Sequence, residues 1–118
     1  MKLRIEVEKL LKIKRGKISP SVQFRLFDMD AFLPVNLTGA QIKFFMEGPE
    51  DRTDVKRIEG EGEVVVSPLT GIGRYEWKPG ETDVTGSYRA DFEIKLSDGT
   101  EVRVPEGGEY IKVEILDD

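Results

Sequence analysis

The 118-residue chain has no cysteine and no histidine. Without cysteine there is no disulfide framework and no thiolate metal site, and the sequence carries no sign of a redox compartment. Without histidine the commonest general base, the commonest metal ligand and every His-containing triad are missing. Amides are scarce: Gln23, Asn36 and Gln41 are the only ones. Long apolar runs are also absent, so no stretch reads as a membrane-spanning helix. The opening Met-Lys-Leu-Arg-Ile-Glu-Val-Glu lacks the apolar core of a signal peptide, so synthesis and folding in the cytoplasm is expected. Basic charge is not in excess. A net charge of −5 argues against a nucleic-acid partner, which would need clustered Lys and Arg.

What the chain does have is charge and alternation. Asp, Glu, Lys and Arg make up 35% of it, and with so few amides this composition leans toward a hot source. The clearest element is Gly86-Ser-Tyr-Arg-Ala-Asp-Phe-Glu-Ile-Lys-Leu96. Tyr88, Ala90, Phe92, Ile94 and Leu96 share one face; Arg89, Asp91, Glu93 and Lys95 share the other. That period of two defines a strand with one buried and one wet side. It ends at Ser97-Asp-Gly-Thr100, where Asp-Gly predicts a two-residue hairpin. Gly86-x-Tyr-x-Ala90 resembles the tyrosine corner of immunoglobulin-like sandwiches, in which the Tyr hydroxyl ties the strand to the preceding loop.

Strands are expected on both sides of this one. Leu3, Ile5 and Val7 alternate with Arg4, Glu6 and Glu8, and Lys9 to Lys14 is read as a continuation of the same strand. The basic run Lys12-Ile-Lys-Arg-Gly-Lys17 reads as a solvated turn. Val22, Phe24 and Leu26 form a second strand, and Ile42, Phe44 and Met46 a third, with Phe45 on its opposite face. Residues 47–53 read as a polar loop, the most mobile segment. Short strands around 55–58, 62–67 and 73–77 follow, and after residue 96 come Val102–Val104 and Ile111–Ile115 with Pro105-Glu-Gly-Gly108 between them. The total is about eight or nine short strands with no convincing helix, the pattern of an antiparallel sandwich or barrel. Residues 1–118 read as one domain, with 1–12 as an extra edge strand or docking arm.

The chemistry on offer is thin. An enzyme would have to use carboxylates, Lys or hydroxyls, and Glu76, Asp91, Glu93 and Glu114 sit at outward strand positions where a charged face is expected anyway. Asp28 and Asp30, with Asp98 or Asp54, could offer oxygens to calcium. They lack the spacing of an EF-hand loop, and such aspartates usually bond their own turns. Tyr75 and Trp77 share a face, which allows either a sugar platform or a core pair. Phe32, Phe45 and Tyr110 are candidate partner contacts because exposed apolar residues of this kind mark protein interfaces, and Leu3, Ile5 and Val7 because the long first strand could pair with a neighbour by strand addition.

A series of motifs extends the reading. In order it comprises Phe27-Asp-x-Asp, Pro34-Val-x-Leu-Thr-Gly-Ala40, Ile42-Lys-Phe44, Leu69-Thr-Gly71, Tyr75-Glu-Trp77, Thr82-Asp-x-x-Gly-x-Tyr-x-Ala-x-Phe92, Asp98-Gly99 and Pro105. From about residue 13 to 115, the series resembles the small immunoglobulin-like domains of tailed-phage structural proteins, such as the N-terminal domain of phage baseplate upper proteins. Two features depart from it: Asp30-Ala-Phe32 stands where members have Asp-Gly, and the first strand is long. The resemblance implies an antiparallel immunoglobulin-like β-sandwich of about eight strands. It further implies a non-enzymatic virion component (capsid decoration, neck, tail or baseplate) that binds other virion proteins or further copies of itself. No catalytic residue, cofactor, metal or membrane partner is implied. The alternative is a carbohydrate-binding or host-adhesion module built on exposed aromatics.

Overall fold

The computed structural model describes residues 2–48 and 57–117. Its strands form two facing sheets, as the alternating pattern requires: each strand carries one apolar row that must be covered. In the first sheet β1 (Leu3–Val7), β3 (Val22–Asp28), β8 (Ile72–Tyr75) and β7 (Glu63–Val64) lie in that order, with the two-residue β4 (Leu33–Pro34) added on β3. The second runs β2 (Leu10–Lys14), β11 (Ile111–Leu116), β9 (Gly86–Lys95), β5 (Gln41–Glu47) and β6 (Ile58–Glu61), with β10 (Glu101–Val104) also paired to β9. These orders place β1, β3, β8 and β7 as strands A, B, E and D of an immunoglobulin-like sandwich, and β11, β9 and β5 as G, F and C. The protein is an all-β, immunoglobulin-like sandwich. Among the described residues the only helical element is the single 3₁₀ turn Pro68–Thr70, opened by the Ser67 hydroxyl accepting from the Leu69 N–H.

The core lies between the sheets and is centred on aromatic rings. Phe44 of β5 stacks on Tyr75 of β8 with centroids 4.3 Å apart and planes 12° from parallel. Trp77 meets both rings edge-on, and Phe92 and Phe24 continue the cluster. Two glycines make room for it. A Cβ at Gly60 would lie 2.3 Å from Tyr75 Cε1, and one at Gly73 would lie 2.4 Å from Phe24 Cζ. The Tyr88 hydroxyl donates to the Val84 carbonyl, which is the tyrosine corner expected from Gly86-x-Tyr-x-Ala90.

Five details differ from the sequence reading. Residues 3–14 are two strands in different sheets: β1 pairs with β3, then Glu8 and Lys9 carry the chain across to β2. The crossing keeps the chain's direction, so β2 lies parallel to β11 and the sandwich is not wholly antiparallel. Half of the basic run therefore lies in a strand, with Ile13 buried between Lys12 and Lys14. The Asp-Gly hairpin has a three-residue loop: Leu96 N–H donates to Thr100 O, and Gly99 adopts φ 91°. A left-handed third residue is what such a loop uses. β4 was not foreseen, because two residues show no alternation. The expected polar loop lies mostly outside the described residues, as do Val55 and Asp54.

Replacing Tyr88 with Phe removes one hydrogen bond and leaves the Val84 carbonyl without this donor. The expected cost is about 1 kcal/mol, measured by urea denaturation with an unchanged m-value. A full-strength wild-type midpoint would mean that the corner contributes nothing.

Candidate partner-binding face

The outer face of the second sheet is mostly a solvated charge lattice. Glu61 lies opposite Lys43, Lys43 opposite Glu93, and Glu93 opposite Arg103, so charge alternates in sign across four strands. Exposed pairs of this kind contribute tenths of a kcal/mol each and present nothing apolar to a partner.

One region breaks the lattice. Phe45 projects from β5 beside Asp91 of β9. The Arg57 guanidinium lies 5.1 Å from the Phe45 ring centroid, and that of Arg89 lies 4.7 Å from the ring of Tyr110. With Asp91 and Arg103 these residues line a shallow groove of about 200 Å³. Glu47 stands opposite Arg89 across the ladder, but among the described residues no carboxylate lies within ion-pair distance of the Arg89 guanidinium. The fold thus brings two of the six expected contact residues, Phe45 and Tyr110, into one site.

Tyr110 is positioned by a bulge in the last strand. Val104 pairs with Phe92 and Ile111 with Ala90, so residues 105–110 all lie opposite Asp91 alone. The Arg103 guanidinium holds this excursion together. It donates to Asp91 Oδ2 at 2.6 Å, to Pro105 O at 3.1 Å and to Glu109 O at 3.0 Å. The Lys9 ammonium and the Glu109 carboxylate form an ion pair at the outer side. One planar group with fixed donors can satisfy two carbonyls and a carboxylate together, which a lysine could not reproduce.

The other expected residues lie elsewhere. Leu3, Ile5 and Val7 face inward from the first sheet's edge and pack half-buried against the core. Phe32 is 74% exposed in the turn between β3 and β4 and takes φ 55°, the left-handed conformation that glycine adopts at low cost. Asp28 accepts from the backbone N–H groups of Asp30 and Ala31, and Asp98 accepts from Thr100, which holds the Asp98 carboxyl below its usual range. These oxygens serve their own turns, as the local reading predicts.

Tyr75 and Trp77 are only 1% and 4% exposed, so neither is a sugar platform. Trp77 Nε1 donates to Pro20 O, and the Tyr75 hydroxyl donates to the Glu81 carboxylate. Their shared face is the core face. Sequence reasoning missed Arg57, Arg89 and Arg103. Their outward positions were visible, but the rings and carbonyls they meet come from other strands.

No family profile and no curated protein matches this chain. Among solved structures it is similar to selenomethionine PcoC, a copper resistance protein from Escherichia coli, at 15% identity over 94% of this chain and 92% of that one, TM-score 0.44. It is also similar to murine CRIg at 10% identity over 100% and 99% of the two chains, TM-score 0.39. The sandwich assignment above rests on strand order and register.

Two outcomes are expected. Arg103→Ala frees the bulge: amide exchange over residues 106–110 accelerates, and stability falls by about 1–2 kcal/mol, the exposed Asp91 pair being the smaller part. Unchanged exchange there would show that the bulge holds without it. Burial, then the hydrogen bond to Glu81 and its negative charge, raise the Tyr75 pKa far above its ordinary value. In the unfolded chain Tyr75 ionises near pH 10. Its contribution is therefore complete below about pH 10 and is lost as pH rises toward the folded value. Denaturant titrations should show a steeper alkaline loss of stability for wild type than for Tyr75→Phe. Parallel curves would contradict this.

Proposed function

We propose that this protein is a non-enzymatic binding module of a tailed-phage virion, a capsid-decoration, neck, tail or baseplate component. It docks onto other virion proteins through the groove of Phe45, Arg57, Arg89 and Tyr110. The observation that carries the binding role is the pair of arginine–aromatic stacks breaking an otherwise charge-alternating face. Tyr and Arg are the side chains most often found at binding hot spots. Here each ring already orders a guanidinium, so little rotamer freedom is left to lose on docking. Arg89 offers a guanidinium with no ion-pair partner among the described residues, while Phe45 and Tyr110 offer apolar area.

The virion assignment is supported by the ordered motif series from Phe27 to Pro105. In an assembly with many copies, small interfaces add through multivalency, so a shallow groove suffices. The protein would then be made in the host cytoplasm and reside in the particle, with protein partners rather than nucleic acid or membrane. The charge-rich, amide-poor composition supports a hot host.

Mass spectrometry of purified virions is expected to detect the protein at a defined copy number relative to the major capsid protein. Hundreds of copies would indicate decoration or a major tail role, a handful the neck or baseplate, and absence would end the virion reading. Tyr110→Ala should weaken incorporation by about 2 kcal/mol or more in binding terms, with thermal stability nearly unchanged because Tyr110 is an exposed residue outside the core. Normal incorporation of Tyr110→Ala together with Arg89→Ala would remove the groove from the interface.

A further inference from the structure

The crossing at Glu8 and Lys9 leaves two strand edges facing one groove. Leu96 N–H donates to Thr100 O at 2.8 Å, which sets the phase of the ladder between β9 and β10. Val102 and Val104 therefore bond to β9, while the N–H and C=O groups of Glu101 and Arg103 turn away from it. On that side β10 has no neighbouring strand among the described residues, because β2 pairs only with β11 and begins opposite Lys112. In the first sheet, Met29 N–H donates to Lys2 O, so the backbone groups of Leu3 and Ile5 likewise turn away from β3. Both edges border a groove of about 480 Å³. Leu3, Ile5 and Val102 supply its apolar side, and Asp98, Glu101 and Glu106 its charge. Its cation, Arg103, is already held by Asp91.

We propose that this groove takes an extended segment of a partner protein, in which apolar residues alternate with Lys or Arg, added as a further strand on β10. Backbone bonds to Glu101 and Arg103 fix its line, as in other strand-addition complexes. Once the segment is paired, its side chains alternate between the two faces. The inward set fills the gap between the sheets over Leu3, Ile5 and Val102. The outward set meets Glu101, with Asp98 and Glu106 nearby. An acidic segment would place like charges there, and an all-polar one would leave the apolar gap unfilled. This surface adjoins the arginine–aromatic groove at Arg103, which lines both, but does not depend on the virion assignment.

The test uses two synthetic peptides, one alternating Val and Lys and one alternating Val and Glu, added to the whole protein and followed by backbone amide NMR. The Val–Lys peptide should shift and protect the Glu101 and Arg103 amides, and the Val–Glu peptide should bind about tenfold more weakly or not at all. Glu101→Pro removes an outward N–H that an edge strand can do without, so binding should be lost while the fold is kept. If that variant unfolds, Glu101→Lys with Glu106→Lys leaves the ladder intact and should reverse the preference toward the Val–Glu peptide. Equal affinity for both peptides, or shifts that avoid β10, would overturn the proposal. Concentration-dependent dimerisation without peptide that protects Glu101 would also overturn it, in favour of a second copy as the occupant.

Discussion

The distance between the two sheets is governed by a single stack, Phe44 against Tyr75, and much of the rest follows from accommodating it. The Tyr75 ring needs a neighbouring position with no side chain, which Gly60 supplies, and the adjoining Phe24 ring needs another, supplied by Gly73. A methyl group at either position would lie well inside contact distance of a buried ring, and a packed core has few ways to yield. Trp77 closes the cluster edge-on and anchors to the Pro20 carbonyl. Tyr75 in turn holds Glu81, whose carboxylate also accepts from the Lys78 N–H, so the core stack organises the turn leading toward β9. The same requirement that fixes the core therefore shapes a surface loop.

A second constraint comes from the ends of the sandwich. The first strand serves both sheets, β1 in one and β2 in the other, and covers neither edge along its full length. Edges with unpaired backbone groups are a hazard that proteins usually blunt with charge or bulges. Here both devices are present. Acidic side chains line the β10 edge, and the excursion at residues 105–110 ends its pairing. Charge along that edge disfavours indiscriminate pairing and leaves a partner of opposite charge as the one that fits.

The outer face of the second sheet separates solubility from recognition. Across Glu61, Lys43, Glu93 and Arg103 charges of opposite sign stand opposite one another, exposed to water. A partner would gain little by displacing that water. On this face, apolar area and a guanidinium without an ion-pair partner among the described residues coincide where the bulge held by Arg103 places Tyr110 under Arg89.

Alternation alone was enough to assign β1, β3, β5, β9 and β11, because a residue's side of a strand follows from its parity. The same rule puts Tyr75 and Trp77 on one face and Phe45 on the side opposite Phe44, whereas burial in the folded protein is what makes the Tyr75–Trp77 face the core face. Local chemistry was legible too: Gly86-x-Tyr-x-Ala90 identified the corner, and the aspartates at 28 and 98 identified their turns. What parity cannot encode is which strand lies beside which. The crossing at Glu8 and Lys9 depends on partners more than ten residues away in β3 and about a hundred away in β11, and those also decided the parallel pair. The meeting of Arg57 with Phe45, Arg89 with Tyr110 and Arg103 with Asp91 has the same origin. Each is a contact between chain segments whose register is set by the packed core, and only the tertiary structure brings them together.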